Sequence, residues 1–139
     1  EIISGDDDPN DSELNTFNAI YPRGAYFGRI AQIGPANLID VHPSATYKMN
    51  KWTLFADYVA FWRESTQDGV YGAGLNLSYQ DTNEEKFIAH QIGMAIGYDL
   101  NDFLSFGMES NYLFRGDFIR QSNLNTNTLH FLCEAQLKF

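Results

Sequence analysis

Cysteine, basic side chains and long apolar runs are all scarce in this sequence of 139 residues. The single cysteine, Cys133, has no partner for an internal disulfide, so no covalent staple is expected. No run of about 18 apolar residues occurs, which excludes a transmembrane helix but leaves a transmembrane β-barrel open. Lysine and arginine number 9 against 18 aspartates and glutamates. The basic stripe that a nucleic-acid partner needs is missing, so no such partner is expected.

Aromatic residues are abundant, at 15%, whereas charged residues make up only 19%. This balance is typical of strands whose aromatic side chains pack against a broad apolar surface. The net charge of −9 is concentrated near the start, where SGDDDPNDSEL contributes most of the imbalance. The charge is thus a local property and not a field of the whole molecule.

Two regions of the sequence differ in their residue pattern. Prolines and glycines punctuate residues 1–37, which predicts a long irregular segment, either an extracellular loop or a loop folded into a lumen. Residues 38–139 instead alternate apolar and polar side chains with a period of two, as β-strands do. Five long strands are predicted, at 38–48, 51–63, 87–100, 103–115 and over the closing HFLCEAQLKF.

The lengths of these strands and of their connections favour an outer-membrane barrel. The longest predicted strands far exceed the usual five or six residues of globular sheets. Short links alternate with long ones, as in barrels with short periplasmic turns and long extracellular loops. The prediction is an all-β, antiparallel transmembrane β-barrel segment in the bacterial outer membrane, with its C-terminus periplasmic. Because five strands cannot enclose a lumen, strands on another chain or a cleaved segment must complete it, in contact with outer-membrane lipid.

Alternation also predicts which side chains face outward and inward. The residues expected to contact lipid are Leu54, Tyr58, Met94, Ile96, Phe106, Met108, Ala135 and Leu137. A two-residue turn at 101–102 would pair Leu100 with Phe103, although the pattern puts them on opposite faces. A three-residue connection or a bulge is therefore expected at this turn.

The last hairpin brings two carboxylates together. If Arg115 pairs with Thr128, then Glu109 and Glu134 lie opposite each other. Because adjacent carboxylates repel, each is expected to have a basic partner. That partner would be Arg63, Arg115, Lys138 or an arginine of the missing strands.

The candidate functional residues are the polar side chains predicted to line the lumen. They either guide a solute or pair with one another and with the missing strands. These residues are Asp40, His42, Lys48, Asp57, Arg63, Gln91, Glu109, Arg115, Glu134 and Lys138. Small inward residues such as Gly93 and Gly107 leave room for a solute or for YPRGAYFGRIAQIGPAN as a folded-in plug.

No catalytic set, nucleotide motif or metal-ligand spacing is recognisable, so neither an enzyme nor a tightly bound cofactor is expected. The acidic run suggests a surface calcium site with oxygen ligands from Asp6, Asp8 and Asn10. An EF-hand does not fit, since Asp11 occupies the glycine position and Phe17 the glutamate position. A solvated acidic loop is the alternative.

Several stretches resemble the alginate export family of outer-membrane proteins. They are SGDDDPND, NTFNAIYPRGAYFG, GPANLIDVHPSATYK, FWRESTQDGVYG and RGDFIR, the last standing for the family's AGDFIR. Together they span nearly the whole chain. The resemblance implies a large monomeric barrel of about eighteen strands whose charged lumen conducts a polysaccharide. It also implies that this chain forms the C-terminal part of such a barrel.

Two functions follow. The first is a porin-like or export channel that passes a polar or charged solute or a polysaccharide. The second is an accessory barrel with a plugged lumen, which would be part of a larger envelope complex. A soluble β-sandwich adhesin is disfavoured by the long strands and by the aromatic residues expected at both membrane boundaries.

Overall fold

The computed structural model describes residues 1–8, 10–80, 83–122 and 126–139. Its elements are β1 (Ile2–Ile3), β2 (Leu38–Val41), β3 (Ser44–Met49), β4 (Trp52–Trp62), β5 (Val70–Tyr71), β6 (Leu77–Tyr79), β7 (Phe87–Asp99), β8 (Leu104–Arg115), α1 (Asp117–Gln121) and β9 (Thr128–Leu137). One antiparallel sheet has the order β1-β2-β4-β7-β8-β9, and β3 also pairs with β4. Strands β5 and β6 form a separate hairpin. The predicted all-β antiparallel fold is confirmed.

No helix in the described ranges is long and apolar enough to cross a membrane.

The first long strand is interrupted by a proline. Strands β2 and β3 pair with β4 in one continuous register. Pro43 lies between them and has no backbone N–H to donate, although its carbonyl accepts a hydrogen bond from the Tyr58 amide at 3.1 Å. The strand predicted at 38–48 is therefore two collinear pieces.

The sheet has two chemically different faces. Because opposed residues on paired strands share a face, the registers between β4, β7, β8 and β9 keep the alternation in phase. The outward face leaves exposed Leu54, Tyr58, Met94, Ile96, Phe106, Met108, Ala135 and Leu137. The inward face carries Asp57, Gln91, Glu109 and Glu134. The two sets lie on opposite faces of the sheet, as the alternation predicts, and their contact with lipid and with a lumen stays a prediction.

Aromatic rings gather near both ends of the outward face. Beside the short turns, the rings of Trp52 and Tyr98 lie 4.5 Å apart. At the opposite end, the rings of Trp62 and Phe87 lie 5.6 Å apart. Clusters at both strand ends match the two aromatic girdles of a barrel in a bilayer.

Ile88 departs from the predicted alternation. Phe61 pairs with Ala89 but Trp62 pairs with Phe87, so Ile88 is an extra residue in β7. Such a β-bulge re-aims the side chain. Ile88 consequently turns away from the outward face and is fully buried in the core.

The turn after β7 has three residues. Leu100 donates from its backbone N–H to the Leu104 carbonyl at 3.0 Å. Within the turn, Asn101 Oδ1 accepts hydrogen bonds from the Phe103 and Leu104 amides, both at 2.9 Å. The connection is therefore 101–103, and the prediction of a three-residue turn or a bulge is confirmed.

The predicted register of the last hairpin is wrong by two residues. Thr128 lies opposite Leu113 and not opposite Arg115. Glu109 and Glu134 are consequently diagonal neighbours and not a directly opposed pair. A slip of two preserves every facing, so alternation alone cannot distinguish the two registers.

The hydrophobic core lies at the end of the sheet that carries the long connections. It joins the sheet to residues 26–38 and to α1. Its most deeply buried apolar side chains are Leu38, Val59, Phe61, Val70, Ile88, Ala89, Leu113, Phe118 and Ile119. The core lies on the inward side of the sheet, and the outward face has no apolar cover among the described residues.

Met108 provides a test of the outward face, because its side chain is 48% exposed there. In lipid, Met108→Arg is expected to lower the free energy of unfolding by about 2–4 kcal/mol if the site lies near the bilayer midplane. Urea unfolding of the complete protein in lipid vesicles measures this. The control is Ser105→Arg on the inward face, which should cost much less. Equal stability of the two variants would contradict the facing.

Candidate functional site

The inward side of β4, β7, β8 and β9 is here called the polar face. Its central side chains come from neighbouring strands, because the register aligns Asp57, Gly93 and Asn111 across β4, β7 and β8. Gln91 is the next residue of this face toward the long connections. Glu109 is the next residue of this face toward the short turns. A continuous polar surface therefore runs along the strands.

Residues 26–33, here called the inner segment, lie against this face. Phe27 is almost fully buried, and its ring meets that of Phe61 edge-on at 4.9 Å. Gln91 is also buried and donates from Nε2 to the Phe27 carbonyl at 2.5 Å. Further along, Gln32 Nε2 donates to Thr128 Oγ1 at 3.1 Å. Apolar packing and hydrogen bonds thus hold the inner segment in place.

Arg29 joins the inner segment to both carboxylates of the last hairpin. Its guanidinium lies 2.8 Å from Glu134 and 3.4 Å from Glu109. Its backbone N–H also donates to Glu109 Oε1 at 3.2 Å. The hydrogen bond to Glu134 raises the pKa of Arg29, so the guanidinium stays charged. The prediction of a basic partner for each carboxylate is confirmed, but the partner is Arg29 and none of the residues that were expected.

His42 and Asp57 form a second pair on the polar face. His42 Nε2 lies 2.8 Å from Asp57 Oδ2. The Asp57 side chain is buried, whereas His42 is partly exposed and its ring lies 5.7 Å from that of Phe27. This pair therefore lies directly beside the anchor of the inner segment.

Two cavities follow one another along the polar face, each of about 250 Å³. One lies under the inner segment, between His42, Asp57 and Asn111. The other lies nearer the short turns, where Gly97 and Gly107 leave room. Both include Phe55, Ala95 and Glu109 in their walls, so the cavities adjoin.

Arg63 does not line an open surface, which corrects its predicted role. Its side chain is fully buried beneath the connection between β4 and β7. The guanidinium donates to the carbonyls of Thr66, Asp68 and Glu85 at 3.2, 3.0 and 2.6 Å. It also lies 4.3 Å from the ring centre of Phe118. These contacts organise a loop and leave no surface for a solute.

Asn37 is a structural residue that the sequence did not single out. Its side chain is fully buried, and its backbone has a positive φ of 48°. Nδ2 donates to the carbonyls of Ser65 and Gly69 at 3.0 and 2.9 Å, and Oδ1 accepts from the Ser65 amide at 2.6 Å. A Cβ at Gly5 would overlap the Asn37 side chain, so glycine is required there.

Asp68 ties the acidic N-terminal region to the same loop. Its Oδ2 accepts from the Asp6 amide at 3.0 Å and from Thr16 Oγ1 at 2.6 Å. Its Oδ1 accepts from the Tyr71 hydroxyl at 2.8 Å, and burial, with help from this bond, raises the pKa of Tyr71. We call Asn37, Arg63 and Asp68 together the loop latch.

The remaining predicted lumen residues lie apart from the inner segment. Lys48 and Lys138 are exposed near the short turns. Asp40 is buried on β2 at the other end. Arg115 ends β8, and its backbone N–H donates to Asn127 Oδ1 at 3.2 Å. The structure therefore unites His42, Asp57, Gln91, Glu109 and Glu134 around the inner segment and leaves the other residues at the ends.

The acidic run forms local turns. The Asp8 amide donates to Asp6 Oδ1 at 3.3 Å, and the Asn10 amide donates to Asp8 Oδ1 at 3.0 Å. In the part of the chain that the structure describes, no three or more His, Cys, Asp or Glu side chains converge as metal ligands. Calcium binding by Asp6, Asp8 and Asn10 stays a prediction.

Long strands, an exposed apolar face and an opposite polar face are typical of outer-membrane β-barrel proteins. Residues 1–132 match the family model for alginate export. The chain belongs to the alginate export family, whose members are transport proteins of the bacterial outer membrane and not enzymes. No curated protein and no solved structure matches the chain.

FWRESTQDGVYG at 61–72, one of the stretches that resemble the family, contains two of the three loop-latch residues. It supplies Arg63 and Asp68, whose contacts are with carbonyls, amides and hydroxyls of the loops. The contacts of Arg63 and Asp68 in this motif are therefore explained by loop architecture.

Arg29→Ala tests the attachment of the inner segment. Removing the guanidinium leaves Glu109 and Glu134 as uncompensated neighbours, so hydrogen exchange at Phe27 and Ile33 should become severalfold faster. Hydrogen exchange with mass spectrometry on the complete protein measures this. Arg120→Ala is the control, because it breaks the exposed Arg120–Asp117 pair instead. Unchanged exchange in Arg29→Ala would show that apolar packing alone holds the segment.

Proposed function

We propose that this chain supplies the carboxy-terminal strands of an outer-membrane export channel. A polar or charged solute, or a polysaccharide, passes along its polar face. The observation that carries this proposal is the segregation of the sheet into two faces. A monomer in water rarely exposes a contiguous apolar surface of more than a few hundred Å². The outward face exposes large apolar side chains along four adjacent strands, which suits contact with lipid.

The two edges of the sheet support the same proposal. Strand β9 pairs only with β8 among the described residues, and at the other edge β1 has only two residues. In hydrocarbon, each unpaired backbone N–H or C=O costs several kcal/mol. Further strands must therefore flank these edges, and an even-numbered closed barrel meets that requirement.

The polar face supplies a route for the solute. Its two adjoining cavities extend from the inner segment toward the short turns. Glycines on this face have no side chain that would project into the passage. A Cβ at Gly107 would meet the Glu134 side chain at 3.0 Å. In this arrangement the inner segment narrows the passage, and its displacement would widen it.

The attachment of the inner segment favours a second candidate function, an accessory barrel with a plugged lumen. Phe27 is packed into the core, and Arg29 is paired with two carboxylates. A permanently seated segment would block passage and would leave the long loops free to bind an envelope partner. Conductance distinguishes the two functions.

Single-channel recording of the complete protein in planar bilayers is the test. For an export channel, Arg29→Ala combined with Phe27→Ala should raise conductance clearly above that of the parent protein, since both anchors of the inner segment are lost. Arg120→Ala should leave conductance unchanged. A barrel that folds in every variant but conducts in none would support the accessory function and contradict export.

Cysteine labelling tests the proposed orientation. In a Cys133→Ser background, Glu84→Cys lies in a long connection and Asp102→Cys in a short turn, and both positions are exposed. A membrane-impermeant maleimide added to intact cells should label residue 84 and leave residue 102 unlabelled. Permeabilised cells should show labelling at both sites. Labelling of residue 102 alone in intact cells would reverse the orientation.

A further inference from the structure

Gly93 lies between two oxygen-bearing side chains. It pairs with Asp57 on β4 and with Asn111 on β8. A Cβ at Gly93 would overlap Asp57 Oδ1 and would lie 2.8 Å from Asn111 Oδ1. Both oxygens therefore point into the small space that the glycine leaves above the polar face.

Of the two oxygens, Asp57 Oδ1 is the one that is buried without a donor among the described residues. Asp57 is 8% exposed, and its Oδ2 meets His42, but within the described residues its buried Oδ1 has no hydrogen-bond partner. Asn111 Nδ2 donates to Glu109 Oε1 at 2.7 Å. This bond fixes the amide orientation and turns Asn111 Oδ1 toward Asp57. A buried acceptor without a protein donor is destabilising, so a water or an ion is expected to meet Asp57 Oδ1.

The geometry selects the kind of ligand. A hydroxyl has one hydrogen and serves only one of the two converging oxygens, whereas a water, with two hydrogens, or a cation can serve both. The surroundings are acidic, since Arg29 is shared between Glu109 and Glu134. A hard cation, which prefers carboxylate and amide oxygens, fits both the oxygens and the charge. The cavity of about 250 Å³ beside Tyr26 has room for its waters.

We propose that Asp57 Oδ1 and Asn111 Oδ1 bind a hard metal cation of the calcium type above Gly93. Water or oxygens of a passing solute complete its coordination. This inference rests on the proposed function for the access of the polar face to solute. The bound cation would neutralise part of an acidic wall along the route.

Terbium luminescence tests the site, because Tb³⁺ replaces Ca²⁺ and nearby tyrosine sensitises it. The complete protein in detergent is titrated with Tb³⁺ and then with competing Ca²⁺. A parent carrying Asp6→Asn and Asp8→Asn removes the two aspartates of the predicted surface calcium site from the signal. Asp57→Asn, which keeps the shape, should bind about tenfold more weakly or worse, since ligand charge sets affinity. The control Asp102→Asn removes a carboxylate from the short turn and should change nothing.

A variant that is expected to bind the cation more tightly complements the variant that is expected to bind it more weakly. Asn111→Asp adds a second carboxylate to the site and should tighten Tb³⁺ binding. Equal binding by the parent, Asp57→Asn and Asn111→Asp would overturn the cation site. If that happens while the protein still conducts, the export proposal stands without it. Binding that depends on Asp57 in a protein that never conducts would keep the site and reject export.

Discussion

Strand register is the constraint on which the rest of this structure depends. Side chains alternate between faces with a period of two, so a slip of one residue between β4, β7 and β8 would exchange the faces. Gly93 would then leave its place between Asp57 and Asn111, and Met94 would turn onto the polar face. In a bilayer the same slip would turn carboxylates toward hydrocarbon, at high cost. The apolar outward face and the polar face therefore both require this one register.

The charged and polar residues divide into two groups with different roles. The loop latch satisfies its polar atoms with backbone groups and, at Asp68, also with the hydroxyls of Thr16 and Tyr71. It packs the long connections over the hydrophobic core. On the polar face, Arg29 and His42 instead pair with carboxylates of the strands and leave cavities between them. The latch explains why a family-like motif lies apart from the cavities of the polar face. The polar face has the unsatisfied oxygen and the space that binding requires.

Much of the fold could be predicted from alternation, because facing depends only on local sequence. The sequence-based predictions failed where the local sequence carries no information about the feature. A register shift of two residues at Thr128 keeps every side chain on the same face of the sheet, so alternation does not reveal it. The β-bulge at Ile88 has no recognisable signature in the local amino-acid sequence. The burial of Arg63 depends on carbonyls some twenty residues away. Arg29 reaches its carboxylates across 80 residues of sequence and more, from a segment with no regular structure that could be projected onto a strand.

We propose that one face of the sheet contacts lipid while the other lines an aqueous passage. A spin-label scan along β8 distinguishes the two faces, with single cysteines at positions 106–112 in a Cys133→Ser background of the complete protein in lipid vesicles. Oxygen accessibility is expected to peak at 106, 108, 110 and 112. A water-soluble nickel complex should favour 107 and 109 instead, whereas Asn111 is buried beneath the inner segment. Uniform accessibility to either reagent, without a two-residue period, would contradict the proposed division of the faces.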